Sequence, residues 1–456
     1  MATTLTESTK PSTYYNYPYG PAPKPIIGST LDFDRDPLGF VTGLHQTYGK
    51  AATAHFLGGF SIVAFFTSSA ARYILTENPR NFTSREFNST LTHLLGDGLL
   101  TIDGDFHRQQ RRLVQPAFHR KRIESYATIM TQHTEEMLET WRKGEVRDLS
   151  VEMQRLTLRI VAKTLFDVDL KGESAYLGQV FANIIKFPSD RRLSWKNLIR
   201  IDAPFTPWGQ FQRNIAVLDK AIYQIIEERR ASRHDEGDVV SMLLSAQDED
   251  GTVMTDKQVH DEAMTFFAAG HETTSNALMW TWYLLSQNPH IADRLHAELR
   301  EVLNGRAPTV EDLPRLPYTD MVIKESMRLY PPAWAIGRRA SADFEVDGYH
   351  LPAGQIVMLS QWVMHRAPEI WGADALEFKP ERFDPAHPQE IPQFSYFPFG
   401  GGPRMCIGMP FAQMEARLIL ATVAQHYSPR LVPGHPVVPT PMVTLRSKYG
   451  MRMTLE

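Results

Sequence analysis

The sequence predicts a mainly α protein with a smaller β portion, built as one large domain. Three observations carry that expectation. Several stretches repeat apolar residues at three- and four-residue spacing, as helices with one buried face do. One stretch, DKQVHDEAMTFFAAGHETTSNALMWTWYLLSQNPH, exceeds an average helix and is apolar on most sides at its centre, so it should cross the middle of the molecule. Short apolar runs punctuated by proline and glycine, which read as strands and turns, gather near residue 50 and beyond about residue 331.

In chain order, residues 1–24 form an extended, poorly ordered lead-in rich in proline and tyrosine, and residues 25–456 form the single domain. AATAHFLGGFSIVAFFTS carries two aromatic-rich runs around Gly58-Gly59 and predicts a β-hairpin. ESYATIMTQHTEEMLETWRKG, VEMQRLTLRIVAKTLF and RNIAVLDKAIYQIIEERRASR each predict a helix, followed by the long central one. RLYPPAWAIGRRA, FEVDGYHLPAG and QIVMLSQWVMHR predict strands and turns, and PFAQMEARLILATVAQHY a last helix.

With 456 residues, 43% of them hydrophobic, the chain can bury a large core. A net charge of −4 gives no reason to expect nucleic acid as the main partner. One cysteine cannot form an internal disulfide. The first residues hold no apolar run suited to a signal peptide or membrane span, so the expectation is a cytoplasmic protein without a membrane anchor.

The single cysteine, Cys406, lies in FGGGPRMCIG. A lone buried thiol is often only an apolar filler. Here Gly400, Gly401 and Gly402 permit positive φ and close approach of backbone to something flat, and a helix beginning near Pro410 would favour the thiolate. Such a loop suits an iron ligand beneath a macrocycle. The stretch resembles the haem-binding loop of the cytochrome P-450 superfamily, with Phe399, Gly402, Arg404, Cys406 and Gly408 at the pattern's fixed places. The resemblance, which spans roughly residues 25 to 456, implies the P-450 fold of the soluble bacterial type. Haem b would then lie between the central helix and the cysteine loop, with Cys406 as axial iron ligand, Phe399 near the sulfur and Arg404 on a haem propionate.

AAGHETT on the central helix matches the family's oxygen-binding stretch through Ala269, Gly270, Glu272, Thr273 and Thr274. Thr273 can return its hydroxyl to the Ala269 carbonyl and bend or loosen the helix, leaving a groove lined by Ala269 and Gly270. Oxygen cleavage needs protons, and a hydroxyl–water–carboxylate relay can deliver them. Thr273 and Glu272 are therefore the candidate catalytic residues, with a structural ion pair at the helix bend as the alternative for Glu272. In KESMRLYPP, Glu325 and Arg328 stand at i, i+3 on an apolar face. With Arg382 of FKPERF they resemble the family's buried triad, a structural assignment. His107 and Arg111 at i, i+4, and Arg338 with Arg339 beside it, occupy the places of further propionate donors.

The positions where this family lines its distal pocket are largely apolar: Thr90–Leu100, residues 180–210, Phe267–Ala269, Trp334–Ile336 and Met442–Val443. The expected substrate is a hydrophobic molecule, a terpenoid, steroid or fatty acid, oxidised with O2. No reductase domain or flavin motif is apparent, so electrons are expected from a ferredoxin or flavodoxin with its reductase. Arg108, Arg112, Arg120, Lys121 and Arg122 are the candidate docking cations, against an ordinary solvated helix face. A peroxide-dependent haem enzyme and a non-catalytic gas sensor are the competing functions; the Glu272–Thr273 pair argues against both.

Overall fold

The computed structural model describes residues 15–85, 91–170, 180, 184, 203, 205–232, 237–248, 250–388 and 390–456. The central helix, Asp256–Gln287, is 32 residues long and closes its N-terminus with a capping box between Thr255 and Gln258. Two-thirds of its residues are buried because helices surround it. Leu149–Phe166, Pro207–Ser232, Pro317–Leu329 and Met409–Ala424 all pack against it. Of these, Leu149–Phe166, Pro207–Ser232 and Met409–Ala424 are helices expected from the sequence, with boundaries moved by a few residues. The central element ends sooner than its apolar pattern, because Asn288 caps it and Pro289 opens a new helix.

The β portion holds a five-stranded sheet. Ala51–His55 and Ser61–Phe65 form the expected hairpin, and its turn glycines take positive φ, 91° at Gly58 and 79° at Gly59. Ser61–Phe65 pairs in parallel with Ile356–Leu359, which pairs antiparallel with Ile336–Ala340. Phe82–Thr83 closes the sheet. The lead-in is tied down from Tyr15 onward: Asn16 bridges to His350, and the Thr53 hydroxyl donates to the Pro18 carbonyl.

The Glu325 triad forms and is dry. Arg328 grips Glu325 through two hydrogen bonds of 2.7 Å, with both side chains wholly buried. Arg328 also donates to the carbonyls of His365, Ala375 and Glu377, and its guanidinium stands 4.9 Å from the Trp371 ring. Arg382 lies 3.3 Å from Glu325 and donates to the Trp371 and Asp374 carbonyls. A buried ion pair survives only when its remaining donors and acceptors are met, and these are met by backbone. The cluster thereby fastens the segment from His365 to Phe383 onto the helix Pro317–Leu329.

His365 passes that order on. It is fully buried, and its Nε2 accepts the Phe397 amide at 3.1 Å, which requires the neutral ring. Burial, followed by the charge of Arg328, drives its pKa down to about 3. Phe397 stands two residues before the cysteine loop. Arg328→Met should leave the buried Glu325 carboxylate with only Arg382 and the Lys379 amide as partners and cost about 3–5 kcal/mol of stability. Denaturant unfolding of the two proteins measures it.

Candidate functional site

The cysteine loop is shaped by what its glycines do not carry. Gly402 takes φ 63°, and a Cβ there would stand 1.8 Å from the Leu75 carbonyl oxygen. Gly400 also takes positive φ, 71°. Gly401 does not, contrary to the expectation from sequence: its backbone is extended, and it must be bare because a Cβ would lie 2.5 Å from the Phe394 ring. The loop closes where the Cys406 amide donates to the Phe399 carbonyl at 3.0 Å. Gly408 then caps the helix Met409–Ala424.

Cys406 is set deep in the protein, yet it is exposed. Burial pushes its thiol pKa up, while the amides of Gly408 and Met409 and the charge of Arg111 work against that. Iron would settle the contest, since a coordinating thiol gives up its proton. Ala269 shows the same pattern on the central helix: it is exposed, although Phe266, Phe267, His271 and Glu272 around it are buried.

Three segments bring basic groups together at the loop. Arg404 donates to the Ile102 carbonyl and pairs with Asp103. Asp103 is itself fixed by the amides of Ser84 and Arg85. His107 is buried on the helix Gly104–Val114, and burial followed by the charges of Arg404 and Arg111 lowers its pKa to about 4. Burial likewise lowers Arg111, one turn further on. Strand alternation sets Arg338 and Arg339 apart: Arg339 is exposed, whereas Arg338 is turned inward. Burial, then repulsion from Arg404, brings Arg338 down to about 10.

Three arginines and a histidine thus gather here, and Asp103 pairs with Arg404. Buried like charges of this kind are costly unless anions join them. The two propionates of a porphyrin supply two such anions, and guanidiniums suit carboxylates. With a thiolate donor at the end of a loop cleared of side chains, the residues fit haem. Cys406 would hold the iron, and Arg338, Arg404, His107 and Arg111 stand where the carboxylates would need them.

On the central helix the Thr273 hydroxyl donates to the Ala269 carbonyl at 2.8 Å, the bond expected from sequence. It does not break the helix, which runs continuously from Asp256 to Gln287. Gly270 answers partly to packing: a Cβ there would stand 3.1 Å from Val161 on the neighbouring helix. Glu272 is buried, and its carboxylate is engaged by the Thr444 hydroxyl and by Arg446 Nε at 2.5 Å. Thr444 also accepts from Asn276 at 2.9 Å. The structure therefore places the expected carboxylate inside an ion pair, as the structural alternative for Glu272 supposed.

Thr444, Arg446 and Asp103 were not legible as site residues, because no spacing in the sequence ties them to partners more than 150 residues away. Of the expected pocket segments, Phe267 packs on Phe166, and Trp334 Nε1 donates to the Met442 carbonyl at 3.0 Å. Thr90 and most of residues 180–210 lie outside the described residues. The basic stretch is partly neutralised: Arg108 pairs with Asp105, Arg112 with Asp248 and Arg120 with Glu124, while Lys121 is exposed.

Comparison with known proteins agrees with this geometry. The cytochrome P-450 family model matches residues 18–451. The chain is 36% identical to cyclooctatin synthase of Streptomyces melanosporofaciens over 434 residues, covering 95% of this chain and 94% of that protein. It is 31% identical to pentalenene oxygenase of Streptomyces avermitilis, covering 95% and 96%. A solved structure of retinoic-acid-bound cyanobacterial CYP120A1 superposes with a TM-score of 0.86 at 28% identity, over 97% of this chain and all of that one. Among the described residues no helix is long and apolar enough to cross a membrane.

Gly402→Ala combines a left-handed backbone that costs an L side chain about 1–2 kcal/mol with a clash against Leu75. It should sharply reduce haem retention, read as Soret absorbance per protein. Gly408→Ala, whose Cβ would meet the Cys406 sulfur and Phe118 only at 4.0 Å, should retain haem.

Proposed function

The chain belongs to the cytochrome P-450 family, and from that premise we propose that it inserts one oxygen atom from O2 into a hydrophobic terpenoid. Electrons come from a separate ferredoxin or flavodoxin with its reductase. One observation carries the oxygen-insertion reading: Thr273 and Glu272 stand side by side on the central helix, which packs against the helix launched from Cys406. A peroxide-driven enzyme or a gas sensor needs no such acid–alcohol pair.

Bound haem supplies the iron that takes up O2 and cleaves it. The protein's part is to hold that group and to move protons. Cys406 donates the thiolate, with the Gly408 and Met409 amides and Arg111 favouring its negative charge. Arg338, Arg404, His107 and Arg111 hold the carboxylate side, and Phe399 packs next to the loop. Ala269 and Gly270 leave room on the distal side. Thr273 Oγ, with its proton free to swing away from the Ala269 carbonyl, passes protons toward the oxygen; Glu272 brings them in.

A terpenoid substrate is supported by the likeness to cyclooctatin synthase and pentalenene oxygenase and by the apolar character of Phe267, Ala268 and Trp334 along the expected pocket. An outside electron donor is supported by a recess between the helix Gly104–Val114 and the cysteine loop, lined by Phe106, Arg108, Arg112, Gln115 and Pro403. Phe106 is exposed there among basic residues. A cytoplasmic location, with residues 25–456 as one domain, belongs to the same proposal.

Thr273→Ala should keep substrate binding but lower product formation on the order of 10–100-fold, with the electrons recovered as hydrogen peroxide. Product and peroxide yields in NADH-driven turnover with a surrogate ferredoxin pair measure this; tight coupling in that variant would sink the relay. Neutralising Arg112 and Lys121 together should raise the apparent KM for the redox partner. Salt should weaken docking in the parent more than in the variant.

A further inference from the structure

About two turns before Ala269, three consecutive residues of the central helix hold two other parts of the chain. His260 Nε2 stands 3.0 Å from the Asp219 carboxylate, and its ring stacks on Tyr223 at 4.5 Å; both partners belong to the helix Pro207–Ser232. His260 Nδ1 stands 3.0 Å from Asp261. Asp261 in turn accepts the Asp97 amide at 2.9 Å, and Glu262 accepts the Leu99 amide at 3.1 Å. The segment 92–99 lies close because its glycines are bare. A Cβ on Gly96 would stand 2.5 Å from the Asp261 carboxylate, and one on Gly98 2.1 Å from Thr265 Oγ1. Segment and helix also meet directly, where His93 stands edge-on to Trp208 at 5.4 Å. Thr265 is one turn before Ala269, so this three-way junction adjoins the side of the helix that the proposed function gives to oxygen and substrate.

Each ring nitrogen of His260 faces a carboxylate, which only accepts, so both nitrogens carry hydrogen and the ring is an imidazolium. Burial opposes that charge, but the bonds to Asp219 and Asp261 outweigh it and raise the pKa to about 9. Glu262 is the reverse case: burial outweighs the Leu99 amide and raises it to about 8, so it is uncharged near pH 7. Lys257 bonds Asp261 and pairs with Asp97 at 3.4 Å, and Asp97 pairs with Arg85 at 3.3 Å. Asp256, at the start of the central helix, is taken up by Arg230. Tyr223 is raised above its usual value, first by burial, and stays neutral. His260, Lys257 and Arg85 thus balance Asp97, Asp219 and Asp261. Loss of the protons on His260 and Glu262 leaves the junction with unbalanced negative charge.

We propose that protonated His260 is a latch over the distal side: through Asp219 and Asp261 it joins the helix Pro207–Ser232 to the segment 92–99, and loss of its proton lets the two part and admits large apolar ligands faster. The inference rests on the reading of Ala269 and Gly270 as the distal side of the haem. Both proton sites act in one direction. His260 binds its proton more tightly in the closed form, so its hold is complete below the ordinary value of 6.5 and is lost as pH rises through about 9. Glu262 also keeps its proton better when closed, and that preference fades as pH rises from the ordinary 4.5 to about 8. Alkali therefore loosens the junction, and the protons leave to solvent.

The test uses the haem-loaded protein with His260→Gln, Asp219→Asn and Glu262→Gln. The probe is clotrimazole, a bulky apolar azole whose nitrogen ligates haem iron and shifts the Soret band. In the parent its association rate should rise about tenfold or more from about pH 6.5 to about pH 9.5. In His260→Gln it should already be fast at the lower pH and vary less across the range; comparing the proteins at each pH cancels the azole's own titration. Glu262→Gln, which keeps an acceptor for Leu99 without the charge, should hold the slow rate to higher pH. Amide exchange followed by mass spectrometry should rise in both the segment and the helix in Asp219→Asn, because one latch holds both. A rise confined to the helix overturns the coupling. A His260→Gln protein that loads haem and keeps the parent's rates and pH profile overturns the proposal. Should it fail to load haem, Asp219→Asn decides by the same readouts. If amide exchange responds while azole rates do not, the junction lies away from the distal side, and the access claim fails with that reading.

Discussion

A guanidinium sealed from water organises the part of the molecule that carries the cysteine. Arg328 spends its donors on Glu325 and on three backbone carbonyls spread from His365 to Glu377. Arg382 repeats the arrangement from the other side. Such a cluster adds little net stability compared with a well-packed apolar core, but breaking one member leaves charge without solvent or partner. The cost of any other arrangement is what fixes this one. His365, tied to Arg328 through its carbonyl and to Phe397 through its ring, carries that constraint to the edge of the cysteine loop.

The loop and the basic cluster beside it meet opposite requirements. Around Cys406 the protein removes side chains, so that backbone can approach Leu75 and Phe394 closely and a flat group can lie over the sulfur. Around Asp103 it gathers side chains whose positive charges repel one another. The depressed values of His107, Arg111, Arg338 and Arg404 all have burial as their largest cause, which marks a site built to receive anions from elsewhere. Haem would answer both requirements with one molecule: an iron for the sulfur and two carboxylates for the cations.

The central helix serves packing and chemistry with the same residues. Gly270 admits Val161 of the neighbouring helix, and the Thr157 hydroxyl donates to the His271 carbonyl. Thr273 satisfies its hydroxyl on its own helix, so it stays available without being an unpaired buried group. Glu272 points away to the C-terminal hairpin. A helix packed on several sides thus holds an alcohol and an acid in fixed relation, and the hairpin gains a hold on the acid.

Periodicity, turn residues and one dense motif made much of this legible in advance. The hairpin at Gly58-Gly59, the long helices, Cys406 ahead of the last helix, the Thr273–Ala269 bond and the Glu325–Arg328 pair could all be read locally, since each depends on residues within a few positions or on a strict spacing; Arg382 joined that pair only through the family resemblance. Chain order alone could not say that Gly401 is bare for the sake of Phe394, that Arg338 rather than Arg339 turns inward, that Asp103 gathers the cations, or that Glu272 is held by Arg446 and Thr444. Those outcomes belong to tertiary structure because they are contacts across tens to hundreds of residues, where burial decides which charges must meet.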